Sequence, residues 1–354
     1  MKNQTMNFFI ETIGCQQNEY DASRLAIFLK SAGFVESSAE ESDTIFILAC
    51  SVRQTAVDRI FGRVRNYLKV GKKVIVTSCL TLEDKKKITD RGAFYWQFGD
   101  VKSLEKILGI KISNKNFNQS SDSVYVPIMT GCNNFCSYCI VPYTRGREKS
   151  RSENEIIKEI SELIQSGKKE IVLLGQNVNS YKSQNSKFKT QNFNSKFKTD
   201  FAILLEEIND LPGDFIISFM SNHPKDMTAD VIAAIATLPK IKKEVHLPLQ
   251  SGSDKVLKDM NRPYNARQYL NLVAKLKTQI SNVKITTDLI VGFPGESEED
   301  FQQTVEVCKK VGFSLAYVNK YSPRKETASY KLGDPISWAE KQRRWKILDE
   351  LINK

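Results

Sequence analysis

Residues 131–147 read GCNNFCSYCIVPYTRGR and hold three cysteines in the spacing C-x3-C-x2-C, at Cys132, Cys136 and Cys139. A structural zinc site usually takes four protein ligands, as two C-x2-C pairs or as cysteines with histidines. The chain has only two histidines, and both lie far from this stretch in the sequence. Three thiolates fit a [4Fe–4S] cluster that keeps one iron open, because cysteine thiolates are the usual ligands of such clusters.

The cysteine stretch directly follows the first strand of a series in which apolar strand patterns alternate with helical patterns. Six such strands are predicted, at 123–129, 170–174, 215–219, 244–247, 283–291 and 315–319. Six βα units predict a curved, barrel-like parallel sheet with its site at the carboxyl ends of the strands.

The first hundred residues show the same alternation in three units. Strands are predicted at 7–12, 44–48 and 73–77, and helices at 19–32, 54–69 and 82–90. Cys15, Cys50 and Cys79 each come just after one of these strands. Because parallel strands end at one edge of their sheet, we expect the three thiols to converge there. The alternative is three small core residues, since free cysteine is often buried, and we expect such a buried thiol at Cys308.

The predicted fold class is α/β, with an N-terminal parallel α/β sandwich domain followed by a partial (βα)6 barrel. A polar, Asn- and Ser-rich stretch ends the first series, so we place the domains at 1–112 and 124–354 with a linker at 113–123. Within the second domain, residues 183–199 contain NSKFKT twice and lack aliphatic residues. This predicts a mobile loop that either contacts RNA through its Lys and Phe or has no role.

The charge of the chain indicates the kind of partner, and its apolar runs indicate whether it spans a membrane. The 354 residues carry 52 Lys and Arg against 41 Asp and Glu, a net charge of +11, which favours an anionic partner such as a nucleic acid. No apolar run approaches the roughly 18 residues of a membrane span, and the first residues lack the pattern of an export signal. We therefore expect a cytoplasmic protein without a membrane segment, and seven cysteines that serve metal or redox chemistry instead of disulfides.

The cysteine stretch, with Tyr138 before its last cysteine, resembles the signature of the radical S-adenosylmethionine (SAM) enzymes. Longer segments resemble the methylthiotransferases of that superfamily and, among them, the bacterial tRNA branch. These segments are GCQQNEYD at 14–21, CSVRQ at 50–54, CIVPYTRGRE at 139–148, LLGQNVNSY at 173–181, HLPLQSGSDKVLKDMNRPY at 246–264 and TDLIVGFPGE at 287–296.

The resemblance implies a radical methylthiolation that uses two [4Fe–4S] clusters and SAM. Cys132, Cys136 and Cys139 would hold the cluster that binds SAM and cleaves it to a 5′-deoxyadenosyl radical. That radical would take hydrogen from carbon 2 of N6-isopentenyladenosine at tRNA position 37. Cys15, Cys50 and Cys79 would hold a second cluster that supplies the sulfur, which a further SAM methylates, and the two clusters would face one cavity.

The resemblance also implies residues that contact SAM, namely Tyr138, Gln176, Asn177, Asp288 and Gly292. Arg145 and Arg147 would bind the SAM carboxylate or a tRNA phosphate, since a guanidinium suits both anions, or else form ordinary ion pairs. The implied partners are tRNA and an electron donor such as flavodoxin or ferredoxin, with the sulfur donor left open. We expect the enzyme to be a monomer.

Some features of the sequence depart from the family pattern. Gln17 stands where Met is usual, and Leu48–Cys50 reads LAC where NTC is usual. Family members usually continue into a small β-barrel, the TRAM domain, which we expect to be absent because the sequence stops at Lys354. The alternative substrates are N6-threonylcarbamoyladenosine tRNA and a ribosomal protein aspartate. A tRNA-binding iron–sulfur protein without catalysis is the alternative from another class.

Overall fold

The computed structural model describes residues 6–111, 123–185 and 195–354. Most of the predicted linker and the centre of the NSKFKT loop lie outside these residues. Contacts divide the described chain into two compact units. Unit 1 consists of the residues up to 111 together with Tyr143–Arg145, and unit 2 of the remaining residues from 123 onward.

Unit 1 is built on a five-stranded, fully parallel sheet with the order β2-β1-β3-β4-β5. Its strands are β1 (Asn7–Thr12), β2 (Val35–Glu36), β3 (Thr44–Ala49), β4 (Lys73–Ser78) and β5 (Phe94–Tyr95). Its helices are α1 (Gln16–Ser31), α2 (Gln54–Lys69), α3 (Leu82–Thr89) and α4 (Val101–Leu108).

Strand β3 shows why helices cover both faces of this sheet. All six of its residues are buried, as expected for a central parallel strand. Ile45 and Ile47 pack into one apolar cluster with residues of α2 and α3, whereas Phe46 and Leu48 pack into another with residues of α1 and α4. Because successive side chains of a strand point to opposite faces, the apolar run TIFIL supplies both cores.

Unit 2 is a curved sheet of six parallel strands in sequence order, in two hydrogen-bonded groups of three. The backbone of Ile217 joins the groups by bonding Lys240 and Lys242. The strands are β6 (Ser123–Pro127), β9 (Glu170–Leu174), β10 (Ile216–Phe219), β11 (Glu244–His246), β12 (Lys284–Val291) and β13 (Leu315–Lys320).

Helices of unit 2 cover the outer face of this partial barrel, around one large apolar core. They are α6 (Glu153–Gln165), α7 (Asp200–Asp210), α8 (Ala229–Thr237), α10 (Ala266–Gln279), α11 (Glu298–Val311) and α12 (Trp338–Ile352). Two short helices, α5 (Val141–Thr144) and α9 (Asp254–Asp259), contribute no residue to this core, and the second half of α5 belongs to unit 1. Cys308 lies in this core and is 2% exposed, which confirms that its thiol is buried.

One predicted strand differs in a way that shapes the cysteine stretch. Instead of a single strand over 123–129, β6 ends at Pro127, because its partner β9 ends at Leu174. The next residues form β7 (Met129–Thr130), which pairs antiparallel with β8 (Lys149–Ser150). This two-residue ribbon closes the cysteine stretch into a loop.

The two leucines Leu48 and Leu82 give a matched test of the sandwich core. Leu48 is fully buried between the sheet and α1, whereas Leu82 is 82% exposed at the start of α3. Leu48→Ala should lower the free energy of unfolding by about 2–5 kcal/mol, the cost of an internal cavity. Leu82→Ala should change it by less than about 0.5 kcal/mol. Urea unfolding followed by circular dichroism measures both, and equal effects would contradict the assignment of this core.

Candidate functional site

The carboxyl edge of the sheet in unit 1 brings three cysteines together. Cys15 follows β1 and caps the start of α1, Cys50 follows β3, and Cys79 follows β4. The backbone N–H of Cys79 donates to the carbonyl of Ala49 at 3.2 Å. The hydroxyl of Ser51 donates to the carbonyl of Cys79 at 2.5 Å. These bonds fix the ends of β3 and β4 to each other.

Asn18 fastens the beginning of α1 to the same edge. It is fully buried, and its Nδ2 donates to the carbonyls of Ala49 at 2.9 Å and Leu48 at 3.3 Å. A Cβ atom on Gly14 would lie 2.1 Å from that Nδ2, so only glycine leaves room for the amide. The GCQQN stretch therefore holds Cys15 beside the ends of the other two strands.

Arg145 completes this group of residues within unit 1. Its Nε donates to Sγ of Cys79 at 2.7 Å, and its second terminal nitrogen lies 3.4 Å from Oδ1 of Asn18. Burial opposes the charge of the guanidinium, but the neighbouring Cys79 and Asp21 outweigh it and raise the pKa of Arg145. The side chain is therefore a permanent cation beside the thiols.

Burial and neighbouring charges raise the pKa values of Cys79 and Cys50. Burial is the main cause that raises the pKa of Cys79 to about 12; Arg145 opposes this effect, and charge on Cys50 and Cys15 adds to it. Burial also raises the pKa of Cys50, with a further contribution from Cys15. Desolvation thus favours neutral thiols, and binding as thiolates requires compensating positive charge such as a metal centre supplies.

The second group of cysteines lies in the loop closed by β7 and β8 in unit 2. The loop is held by the segment that follows α9. The backbone N–H of Ser137 donates to the carbonyl of Met260 at 2.9 Å, and Nδ2 of Asn261 donates to the carbonyl of Phe135 at 2.9 Å. Phe135 itself has a left-handed backbone with φ of 48°, which turns the chain between Cys132 and Cys136.

A buried arginine, Arg262, stands beside the second group as Arg145 stands beside the first. One of its terminal nitrogens lies 3.5 Å from Sγ of Cys136, and the other donates to the carbonyl of Pro248 at 2.9 Å. Its Nε donates to the hydroxyl of Tyr264 at 2.7 Å. Burial raises the pKa of Cys139 to about 12; Cys136 and Cys132 add to this effect, and Arg262 opposes it.

The three thiols of each cysteine group are the donor type that [4Fe–4S] clusters use. Among the described residues, no three His, Cys, Asp or Glu side chains lie close enough to hold one metal ion. In a [4Fe–4S] cluster each thiolate binds a different iron, so the sulfurs stand farther apart than they would around one ion. Each group offers three thiols, and each has an arginine beside one of them.

Buried polar atoms that have no hydrogen-bond partner among the described residues lie after successive barrel strands. They are buried oxygens of Gln176 and Asn177 after β9, of Asn222 after β10 and of Gln250 after β11, together with Nε2 of His223. Burial, with Arg262 and Lys225 nearby, lowers the pKa of His223 to about 2, so its ring is neutral. We call this set of atoms at the carboxyl ends of the strands the rim. Since buried polar atoms normally have partners, the rim fits a bound polar molecule such as SAM.

Three other residues that the sequence predicts to contact SAM or tRNA each have a different kind of protein neighbour. Tyr138 packs against the apolar cluster of Met260 and Phe293. Oδ2 of Asp288 lies 3.1 Å from Nε2 of His246. The guanidinium of Arg147 lies 4.3 Å from the ring centre of Phe135.

Gly292 belongs to a network that anchors α12. Its N–H donates to the carboxylate of Glu296 at 2.6 Å, and a Cβ atom there would lie 2.4 Å from the side chain of Lys341. Glu296 in turn forms a buried ion pair with Arg344 at 2.6 Å. These contacts, together with a left-handed backbone with φ of 73°, favour glycine at this position.

Sequence reasoning missed several residues of the site. Asn18, Ser51 and Arg262 lie inside segments that the family resemblance singled out, but their contacts reach across 28 to 126 positions of the chain. In the sequence, these residues could have been predicted from their position, because each is a polar residue within three positions of a cysteine or of the end of a motif. Asn222 and His223 had no such signal, because only their place after β10 brings them to the rim.

Comparison with known proteins identifies the family. The radical SAM superfamily matches residues 126–308, and the uncharacterized protein family UPF0004 matches residues 7–96. The tRNA-2-methylthio-N(6)-dimethylallyladenosine synthase of Clostridium tetani (strain Massachusetts / E88) is 40% identical over 386 aligned positions, which cover 100% of this chain and 82% of that protein. The chain belongs to the radical SAM methylthiotransferase family.

A second relative agrees with this assignment, and two solved structures share the fold. The protein of the same name from Clostridium botulinum (strain Alaska E43 / Type E3) is 37% identical over 98% of this chain and 80% of its own length. The cobalamin-dependent radical SAM enzyme OxsB shares the fold with a TM-score of 0.58 at 8% identity, covering 98% of this chain and 56% of that one.

The methyltransferase TsrM from Kitasatospora setae also shares the fold, with a TM-score of 0.59 at 10% identity over 92% of this chain and 77% of its own. As a member of the methylthiotransferase family, the chain is an enzyme that uses SAM and [4Fe–4S] chemistry. In the part of the chain that the structure describes, no helix has the length and hydropathy of a membrane span.

Two glycines of the cysteine loop allow a test of how the loop closes. Gly131 and Gly146 both have a left-handed backbone, with φ of 74° and 77°. A Cβ atom on Gly131 would lie 2.2 Å from the carbonyl oxygen of Arg147, whereas one on Gly146 would meet nothing within 4 Å. Gly146→Ala should cost roughly the 1–2 kcal/mol of a left-handed residue. Gly131→Ala should cost clearly more in urea unfolding, and equal losses would show that the loop does not close against Arg147.

The buried carboxyl of Asp21 predicts a pH dependence of stability. Burial raises its pKa to about 6, against the opposing effects of Arg145 and Gln17. The folded chain therefore binds this proton more tightly than the unfolded chain, and stability should fall as pH rises from about 4 to about 6. The loss is at most about 3 kcal/mol, for a shift of about two pH units.

Asp21→Asn should remove this part of the pH dependence, measured by urea unfolding of the iron-free chain at pH 4 to 7. Asp58→Asn, a change at an exposed carboxylate of α2, should leave it in place. An unchanged pH profile in Asp21→Asn would mean that this carboxyl is not held in a desolvated position.

Proposed function

We propose that the chain inserts a methylthio group at carbon 2 of N6-isopentenyladenosine, at position 37 of tRNA, to give 2-methylthio-N6-isopentenyladenosine. The names of the relatives, which are 37–40% identical over nearly the whole chain, support this substrate. The net charge of +11 suits a tRNA partner.

The observation that carries the proposal is the presence of two separate groups of three cysteines, each beside an arginine. We assign Cys15, Cys50 and Cys79 to a [4Fe–4S] cluster that serves as the sulfur source, and Cys132, Cys136 and Cys139 to the one that binds SAM. When bound, the clusters and SAM supply the electron, the radical and the sulfur of the reaction. Three ligands for each cluster leave one iron open for chemistry.

The chain's own residues hold and surround these groups. Asn18 and Ser51 fix the ends of the strands that carry the first three thiols. Arg262 offsets negative charge beside Cys136, and the buried oxygens of Gln176 and Asn177 are available to the polar end of SAM. Tyr138, Asp288 and Gly292 complete the proposed SAM contacts, while Arg147 is proposed to bind a tRNA phosphate.

The remaining partners follow from the chemistry. Reductive cleavage of SAM needs single electrons, so the donor is a one-electron carrier such as flavodoxin or ferredoxin. We propose that the enzyme acts as a monomer in the cytoplasm, where tRNA is found.

Three cysteine variants test the assignment of the clusters. The reconstituted wild type should hold about eight irons, four for each cluster, and Cys50→Ala or Cys136→Ala should lower the content towards about four. Cys136→Ala should abolish formation of 5′-deoxyadenosine from SAM. Cys50→Ala should retain that reaction but end methylthiolation of isopentenyladenosine tRNA, because only the sulfur source is lost.

Cys308→Ala is the matched control, since its thiol is buried in the outer core of unit 2 and belongs to neither group. It should retain the iron content and both reactions. Methylthiolated product from Cys50→Ala would overturn the assignment of the sulfur source. Wild-type activity on N6-threonylcarbamoyladenosine tRNA, with none on isopentenyladenosine tRNA, would replace the proposed substrate.

A further inference from the structure

We infer that Arg145 is a positioning residue for the sulfur-supplying cluster, to which it donates a hydrogen bond through Sγ of Cys79. The inference rests on the proposed function, because it requires that Cys15, Cys50 and Cys79 hold a [4Fe–4S] cluster. It gives Arg145 a role different from binding the SAM carboxylate or a tRNA phosphate.

The contacts of Arg145 place its guanidinium in a fixed orientation. Nε lies 2.7 Å from Sγ of Cys79, and a terminal nitrogen lies 3.4 Å from Oδ1 of Asn18. The side chain of Asn18 is itself fixed, because its amide nitrogen donates to two carbonyls at the end of β3 and its side-chain atoms fill the space beside Gly14. The planar guanidinium is therefore aimed at the sulfur by a residue that is itself held by the sheet.

The charge of this contact distinguishes it from ordinary packing. Cys79 is 7% exposed, so its sulfur is shielded from water and the nearby cation acts with little screening. Asp21 also acts on the charge of Arg145 and is buried at 6% exposure. The guanidinium of Arg145 thus donates to the sulfur of Cys79, and the buried carboxyl of Asp21 helps to keep it charged.

Arg147 shows that this placement is specific to Arg145. It is only two residues farther along the chain, but its guanidinium stacks on Phe135 in unit 2. Arg145 instead groups with unit 1, together with Tyr143 and Thr144. Two arginines only two positions apart, Arg145 and Arg147, thus have different partners.

Hydrogen bonds to ligand sulfurs and local charge help to set the reduction potential of an iron–sulfur cluster. A cation that donates to the sulfur favours the reduced cluster, because reduction adds negative charge. Removing Arg145 should therefore shift the midpoint potential of this cluster to a more negative value. It should also weaken retention of the cluster, since the buried thiolate of Cys79 loses its compensating charge.

The test isolates the cluster of unit 1 in the full chain. The background carries Cys132→Ala, Cys136→Ala and Cys139→Ala, and it is reconstituted under anaerobic conditions. Arg145→Gln, Arg145→Lys and the control Arg63→Gln are then introduced separately. Arg63 pairs with Glu11 on the surface of the same unit, so Arg63→Gln removes a charge from unit 1 without touching the described contacts of the cysteines.

Iron content, circular dichroism and a redox titration followed by electron paramagnetic resonance are measured for each variant. We expect Arg145→Gln to shift the midpoint potential below that of the background, or to lose iron while remaining folded. Arg145→Lys should fall between Arg145→Gln and the background, because it keeps the charge but not the directed bond. Arg63→Gln should match the background in both potential and iron content.

The outcomes separate failure of this inference from failure of the proposed function. A background that binds no iron overturns the assignment of the cluster, and the inference with it. A background with about four irons whose potential and iron content are the same in both Arg145 variants overturns the inference alone. Loss of folding in both Arg145 variants, seen by circular dichroism, also overturns it, because Arg145 would then be a structural residue of unit 1.

Discussion

The parallel arrangement of the strands is the constraint on which the site depends. Every strand of a parallel sheet ends at the same edge, so residues that follow different strands lie close in space although they are far apart in sequence. In unit 1 this brings Cys15, Cys50 and Cys79 together. In unit 2 the same geometry brings together, after β9, β10 and β11, buried polar atoms without a partner in the part of the chain that the structure describes.

Charge is the second requirement, because burying thiols makes their ionised form costly. The pKa values of Cys79 and Cys139 are both raised to about 12, chiefly by burial. In each unit an arginine stands beside one cysteine of the group, Arg145 at Cys79 and Arg262 at Cys136. Both groups of cysteines thus have a cation that offsets the cost of ionising buried thiols. One group is built on strand ends and the other on a single loop.

The elements of secondary structure were largely predictable, because each has a strong local pattern. β1, α2 and β9 have the predicted bounds, and the six strands of the barrel are all present. The prediction of one strand over 123–129 was wrong, because the end of β6 depends on where its partner β9 ends. The ribbon of β7 and β8 was also missed, since its strands of two residues are too short to show a period.

The sequence by itself determined the α/β class, the order of the strands along the chain, the six cysteines and the family. These follow from apolar periodicity and from motifs that are contiguous in the chain. Only the tertiary structure decided that Arg145 lies against Cys79 while Arg147 stacks on Phe135, and that Asn18 and Arg262 support the two groups of cysteines. The physical reason is that a hydrogen bond to a residue on another element depends on how the chain packs, which the spacing of neighbouring residues does not specify.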